Sequence, residues 1–149
     1  MQLFFNPELD PTANTFTFDS NESKHIIRVL RKKNGDKLWI TNGAGYLFEA
    51  TIIDDAIKKC EVEINSSKET HAKSHWLHMA VAPTKMNDRF EWFLEKATEI
   101  GVDEITPIIC DRSERKILKL ERMKRVLESA MKQSLQTYLP KLNEPISLV

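Results

Sequence analysis

The sequence predicts a mixed α/β chain: a small β-barrel followed by the first part of a parallel α/β sheet. Up to about residue 70, short segments alternate polar and apolar side chains between turn residues, as half-buried strands do. The stretch Asn65 to Ser74 (NSSKETHAKS) has no apolar anchor and reads as a linker. Beyond it, a strand, a helix and a strand follow one another within about 35 residues, the length of a right-handed βαβ unit. The expected division is therefore residues 1–70 and 71–149.

In the first part, Leu3 to Phe5 reads as an edge strand and Thr15 to Phe18 as a second, alternating one. A short helix follows, capped by Ser23 or Asn21 and running to Lys32. It packs Ile26, Ile27, Val29 and Leu30 inward and leaves Lys24, Arg28, Arg31 and Lys32 outside. Asn34-Gly35-Asp36 ends it. Lys37 to Asn42 and Tyr46 to Ile53 are strands joined at Asn42-Gly43, whose two residues tolerate positive φ. Cys60 to Ile64 alternates again.

In the second part, the apolar run Trp76 to Ala82 suits a strand covered on both faces. Asp88-Arg89-Phe90-Glu91 has the form of a capping box, and Phe90, Phe93, Leu94, Ala97 and Ile100 then fall on one helical stripe. Gly101 stands where a left-handed cap needs a residue without Cβ, and Glu104 to Cys110 is the next strand. The loop Asp111 to Lys116 follows that strand's carboxyl end, the side on which open α/β sheets bind ligands. Leu120, Met123, Leu127, Ala130, Met131 and Ser134 form the stripe of a second helix, and Ile146 to Val149 begins another strand. About three strands make a poor closed domain, so the reading expects a sheet cut short, with the second helix's stripe short of partners.

Composition narrows the function. The 22 basic and 22 acidic residues cancel, so net charge argues for no anionic partner. Their distribution is uneven: Lys24 to Lys37 holds six basic residues against Asp36 alone, and Asp111 to Gln133 holds eight against four. Such segments either grip phosphates or form a solvated face. Two cysteines far apart, Cys60 and Cys110, give no disulfide framework and fit a reducing cytoplasm. No apolar run approaches the roughly 18 residues of a membrane helix, so no membrane partner is expected. His71, His75 and His78 are spaced like metal ligands but lack a partner cysteine, and no metal is expected. Asn42-Gly43-Ala44-Gly45 is a turn, since no helix follows it as a phosphate loop requires.

Taken together, several motifs resemble one family. They are His25-Ile26-Ile27-Arg28-Val29-Leu30-Arg31, Asn42-Gly43, Lys85 with Asp88-Arg89, Lys96-Ala97-Thr98-Glu99-Ile100-Gly101-Val102, Pro107, Arg112-Ser113, Gln133-Ser134 and Pro140. The order and spacing are similar to those of the ribosomal RNA small-subunit methyltransferase E family, which methylates N3 of a uridine in 16S rRNA. The resemblance implies a PUA-like RNA-binding barrel and the N-terminal part of a SPOUT methyltransferase domain. It further implies S-adenosyl-L-methionine as cofactor, 16S rRNA in the small ribosomal subunit as partner, and a homodimer for the full-length protein. Charge and motif together give Lys24, His25, Arg28, Arg31, Lys32, Lys85, Arg89, Arg112 and Ser113 as RNA-binding candidates. Lys96, Glu99, Gln133 and Ser134 carry the motif without an assigned role, and no general base is singled out. Gln2 and Gln136 stand where many members have arginine, which removes two possible phosphate contacts. Family members run further, through a glycine-rich loop and knot that hold the cofactor. This chain is accordingly expected to lack that pocket and to be inactive alone. The alternative is a non-catalytic RNA-binding or ribosome-assembly factor.

Overall fold

A computed structural model describes residues 1–148. The chain divides into two compact units, Met1–His71 and Ala72–Val149.

The first unit is built on a curled five-stranded sheet. Its strands are β1 (Leu3–Phe5), β2 (Thr15–Thr17), β3 (Lys37–Thr41), β4 (Tyr46–Asp54) and β5 (Glu61–Glu69), in the spatial order β1-β3-β4-β5-β2. Strands β1 and β3 run parallel, and the other pairs are antiparallel. The sheet's edges meet through side chains: Phe4 of β1 packs edge-on against Phe18, just after β2, with ring centroids 5.9 Å apart. Inside lie Leu38, Ile40, Phe48, Ala50, Ile52 and Val62, alternate residues of their strands, with Cys60 just before β5. Burial, aided by Asp54 and Asp55, pushes the Cys60 thiol up to about 11, which leaves it an inert apolar filler.

Three local expectations need correction in this unit. Strand β5 runs on to Glu69 because its polar second half pairs with Tyr46 to Glu49, so the linker is shorter than Asn65 to Ser74. The turn at Asn42 forms without positive φ at that residue: its Oδ1 accepts from the amides of Ala44 and Tyr46, and Gly43 and Gly45 take the left-handed backbone. The short helix α1 (Ser20–Lys24) is capped by Asp19, whose Oδ1 accepts from the Glu22 amide at 2.8 Å. Ser23 is fully buried. Its hydroxyl donates to the Phe18 carbonyl and accepts from the Cys60 amide at 2.9 Å, fastening the helix to the barrel wall.

The second unit has β6 (His78–Val81), α2 (Asn87–Ile100), β7 (Glu104–Ile109), α3 (Leu120–Gln133), β8 (Lys141–Leu142) and β9 (Ile146–Ser147). Strand β7 is central, with β6, β8 and β9 all parallel to it. The register offset from β7 is 37 residues at β8 (Glu104 to Lys141) and 38 at β9 (Ile108 to Ile146), so one extra residue bulges out between them beside Pro145. The sequence reading missed β8, because Pro140 and Pro145 enclose it too tightly for a strand pattern to show. Val149 lies outside the described residues.

Helices α2 and α3 pack together on one face, where Phe90, Leu94, Ala97, Val102, Ile105, Met123 and Leu127 form the core. The α3 stripe is therefore buried: Met123, Leu127, Ala130 and Met131 are all less than 7% exposed, against the expectation that it lacks partners. Strand β6 is covered on one face only, with His78 and Ala80 exposed, and it begins after Trp76 and Leu77. No capping box forms at Asp88, since α2 starts a residue earlier after Met86 with no side-chain cap. Ile100 leaves the stripe and is exposed, as the last residue before the Gly101 cap at φ 103°. A polar cluster ties the sheet across its other face. Glu104 accepts from Trp76 Nε1 and Asn143 Nδ2, and Asn143 also bonds Thr106. The hydrogen bonds from Asn143 and Trp76 hold the Glu104 carboxyl below the usual carboxylate range.

Ser23→Ala is expected to destabilise the first unit by about 1–3 kcal/mol, the cost of leaving the buried Cys60 amide without its acceptor. Native-state hydrogen exchange checks this: the Cys60 amide should lose protection while the β6–β7 amides keep theirs.

Candidate nucleic-acid interface

The basic segment after α1 owes its shape to a change of helical period. From His25 to Val29 the backbone widens into a π-helical turn, in which the Leu30 amide reaches the His25 carbonyl at 3.0 Å and the Lys32 amide reaches Ile26. Arg31 then takes a left-handed conformation at φ 55°, unusual for a residue with a Cβ and a mark of a constrained position. Such π turns are frequent at functional sites. The turn keeps Ile26 wholly buried and swings Val29 out to 66% exposure, against the expectation of a continuous helix that buries both. Lys24, His25, Arg28 and Arg31 emerge exposed around Val29, and Lys32 is half-buried. None of these four cations, Lys24, Arg28, Arg31 and Lys32, forms an ion pair among the described residues. Lys37 differs, being paired with Glu49. Exposed Lys33 adjoins the set, and only the segment's overall charge could have indicated it. Unpaired guanidinium and ammonium groups on one short turn attract a polyanion without first breaking internal bonds.

The second unit carries a separate basic set at the carboxyl ends of its strands. Lys85 lies between β6 and α2, Arg89 in the first turn of α2, and Arg112 and Ser113 after β7. Arg115, which the motif reading did not single out, latches these loops: Nη2 donates to the Lys85 carbonyl at 2.8 Å, Nε donates to the same oxygen, and Nη1 donates to Asn87 Oδ1. Lys85 also faces Glu114 at 3.6 Å, across exposed side chains where such a pair adds little stability. Arg89 and Arg112 are exposed, with no ion pair among the described residues. The Ser113 hydroxyl is engaged in the turn, accepting from the Cys110 amide at 2.8 Å.

Of the remaining motif residues, Lys96, Glu99 and Ser134 are engaged in hydrogen bonds within their own helices. Lys96 bonds Glu99 at 3.2 Å and Glu95 at 3.4 Å, and the Glu99 hydrogen bond foremost raises its pKa. Ser134 ends α3 with its hydroxyl on the Ala130 carbonyl, and Gln133 is exposed. Gln136 has its own use, donating through Nε2 to the Glu99 carbonyl at the end of α2. Among the described residues no cluster of His, Cys, Asp and Glu could hold a metal ion, and no helix is long and apolar enough to cross a membrane.

Sequence comparison matches an RNA methyltransferase domain over residues 71–149 and an RNA methyltransferase PUA domain over residues 18–65. The chain belongs to the ribosomal RNA small subunit methyltransferase E family. The member of that name from Buchnera aphidicola (subsp. Acyrthosiphon pisum) is 30% identical, the alignment covering 99% of this chain and 60% of the relative. The Bacillus subtilis member is 28% identical, over 87% of this chain and 53% of the relative. Among solved structures, an rRNA-methyltransferase from Porphyromonas gingivalis is 38% identical with a TM-score of 0.87, covering 99% of this chain and 61% of that one. A Legionella pneumophila methyltransferase solved with S-adenosylmethionine bound is 26% identical with a TM-score of 0.82, over 97% and 62% of the two chains. The fold is thus a PUA-like barrel followed by the first part of a SPOUT-type sheet. The chain spans only about three fifths of these relatives' length.

Replacing Arg28 and Arg31 together by alanine should weaken RNA binding and lower the log–log salt slope by up to about one unit for each phosphate no longer held. Titrations of the chain with RNA at several salt concentrations read this directly, and an unchanged slope would remove the π turn from the interface.

Proposed function

We propose that the chain is the RNA-holding part of an S-adenosyl-L-methionine-dependent methyltransferase acting on N3 of a uridine in 16S rRNA of the small subunit. The observation that carries this reading is the pair of family matches, one on each unit, each coinciding with a set of exposed cations, most of which form no ion pair among the described residues. In this reading residues 1–70 are the RNA-binding barrel and residues 71–149 the N-terminal part of the methyltransferase domain.

The chemistry asks chiefly for positioning. Uridine N3 is a weakly acidic imide nitrogen, so methylation requires the base turned out of its stack, aligned with the methyl donor and relieved of its proton. Lys24, His25, Arg28, Arg31 and Lys32 would hold phosphates at the barrel, and Lys85, Arg89 and Arg112 would do so at the strand ends. The cofactor supplies an electrophilic methyl group when bound. The recess beside Arg115, lined by Asn87, Phe90, Ile117 and Met123 among others, has a volume of about 100 Å³. Small-molecule sites usually enclose roughly 300–1,000 Å³, so S-adenosyl-L-methionine does not fit there. None of the four glycines, at 35, 43, 45 and 101, lies in the loops at the carboxyl ends of β6 and β7.

The second reading is a non-catalytic RNA-binding or ribosome-assembly factor, which the same exposed cations would serve. Methyl transfer from labelled cofactor to small subunits lacking the modification separates the two. A full-length homodimeric relative carrying this segment should yield N3-methyluridine in the digest. The 149-residue chain should yield none and show no micromolar S-adenosyl-L-methionine binding by calorimetry. Absence of N3-methyluridine with the longer protein would leave the assembly-factor reading.

A further inference from the structure

Trp92 stands out on α2. It lies two residues from buried Phe90 and two from buried Leu94, so the 3.6-residue period turns it away from the core, and it is 63% exposed. Trp76, equally exposed, uses its indole N–H on Glu104, whereas Trp92 makes no hydrogen bond, ion pair or ring contact among the described residues. It borders a shallow, almost wholly apolar basin with Asp88, Arg89 and Phe93. The floor is firm, because Phe93 stacks on buried Phe90 with centroids 5.8 Å apart. Beside it, exposed Arg89 has no carboxylate partner. Asp88 also lines the basin but forms no ion pair with Arg89 among the described residues.

We propose that Trp92 stacks an unpaired RNA base while Arg89, one helical turn before it, takes an adjacent phosphate, a subsite that rests on the RNA-binding reading above. An indole face free of hydrogen bonds, next to a free guanidinium, is the combination with which proteins hold single-stranded nucleic acid, since every base offers a π face and every nucleotide a charge. A second copy of the chain fits the basin less well. An apolar partner face would desolvate Arg89 without giving it a counter-ion, whereas a phosphate supplies one. The subsite lies in the second unit and is independent of the π turn. It would hold a base near the strand carboxyl ends, where Arg115 steadies the loop that leads into α2.

Fluorescence anisotropy with a labelled oligouridylate, and with a duplex of the same length, tests the subsite on the whole chain. Trp92→Ala should weaken binding of the single strand about ten-fold with an unchanged salt slope, and Trp92→Phe should recover most of the loss. Duplex binding should not change, because its bases are already stacked, and Arg89→Ala should lower the salt slope instead. Wild-type affinity in Trp92→Ala, or an equal loss on the duplex, would overturn the subsite while leaving the RNA-binding reading intact. Self-association of the chain abolished by Trp92→Ala without loss of RNA affinity would overturn it in favour of an interface between copies. Failure of the unaltered chain to bind either RNA would overturn the subsite together with the reading on which it rests.

Discussion

The first unit depends on one buried hydroxyl. Ser23 holds the Phe18 carbonyl and the Cys60 amide at once, fixing the end of α1 to two points of the barrel wall. Ile26, three residues on, must then fill the core, and the chain must still reach β3 at Lys37. A regular helix would meet the first two demands but would carry the chain straight on past Leu30. Widening to a π turn, followed by a left-handed Arg31, redirects the chain and spreads the cations around its outer side. The basic surface is a consequence of how this helix is anchored and ended.

The second unit follows from β7. Its Ile105 carries the helical layer on one face, and on the other face Glu104 and Thr106 gather Trp76, His78 and Asn143, which fasten the flanking strands. Parallel strands bring every carboxyl end to one side, so Lys85, Arg89, Arg112 and Arg115 collect there although as many as 30 residues separate them. Arg115 joins two of these loops by hydrogen bonds to a backbone carbonyl and a side-chain amide, contacts that depend on geometry more than on net charge.

Much of this was legible in the residues. Apolar periodicity marked α2 and α3, and Gly101 marked the end of α2, because these signals are local and strong. The hairpin at Asn42 was legible while its mechanism was not, since an asparagine side chain that caps a turn and one that adopts positive φ look alike in sequence. The π turn left no trace, being imposed by the anchors at Ser23 and Ile26, which only the fold brings together. Lys24, Arg28 and Arg31 could be read from charge, but their lack of partners could not, as Lys37 shows by pairing with Glu49 across β3 and β4. Trp92 falls off the stripe of Phe90, Leu94 and Ala97, so its outward position is legible in the sequence, but its want of a partner is not.

The central claim is that two separate sets of exposed cations, one in each unit, hold the same class of ligand. Chemical-shift mapping of the isotopically labelled chain, titrated with a single-stranded fragment of 16S rRNA, addresses it most directly. The account predicts shifts at Lys24 to Lys33 and at Lys85 to Trp92, with little change along the buried strands β4 and β7. Shifts confined to other surfaces, or none at saturating RNA, would contradict it.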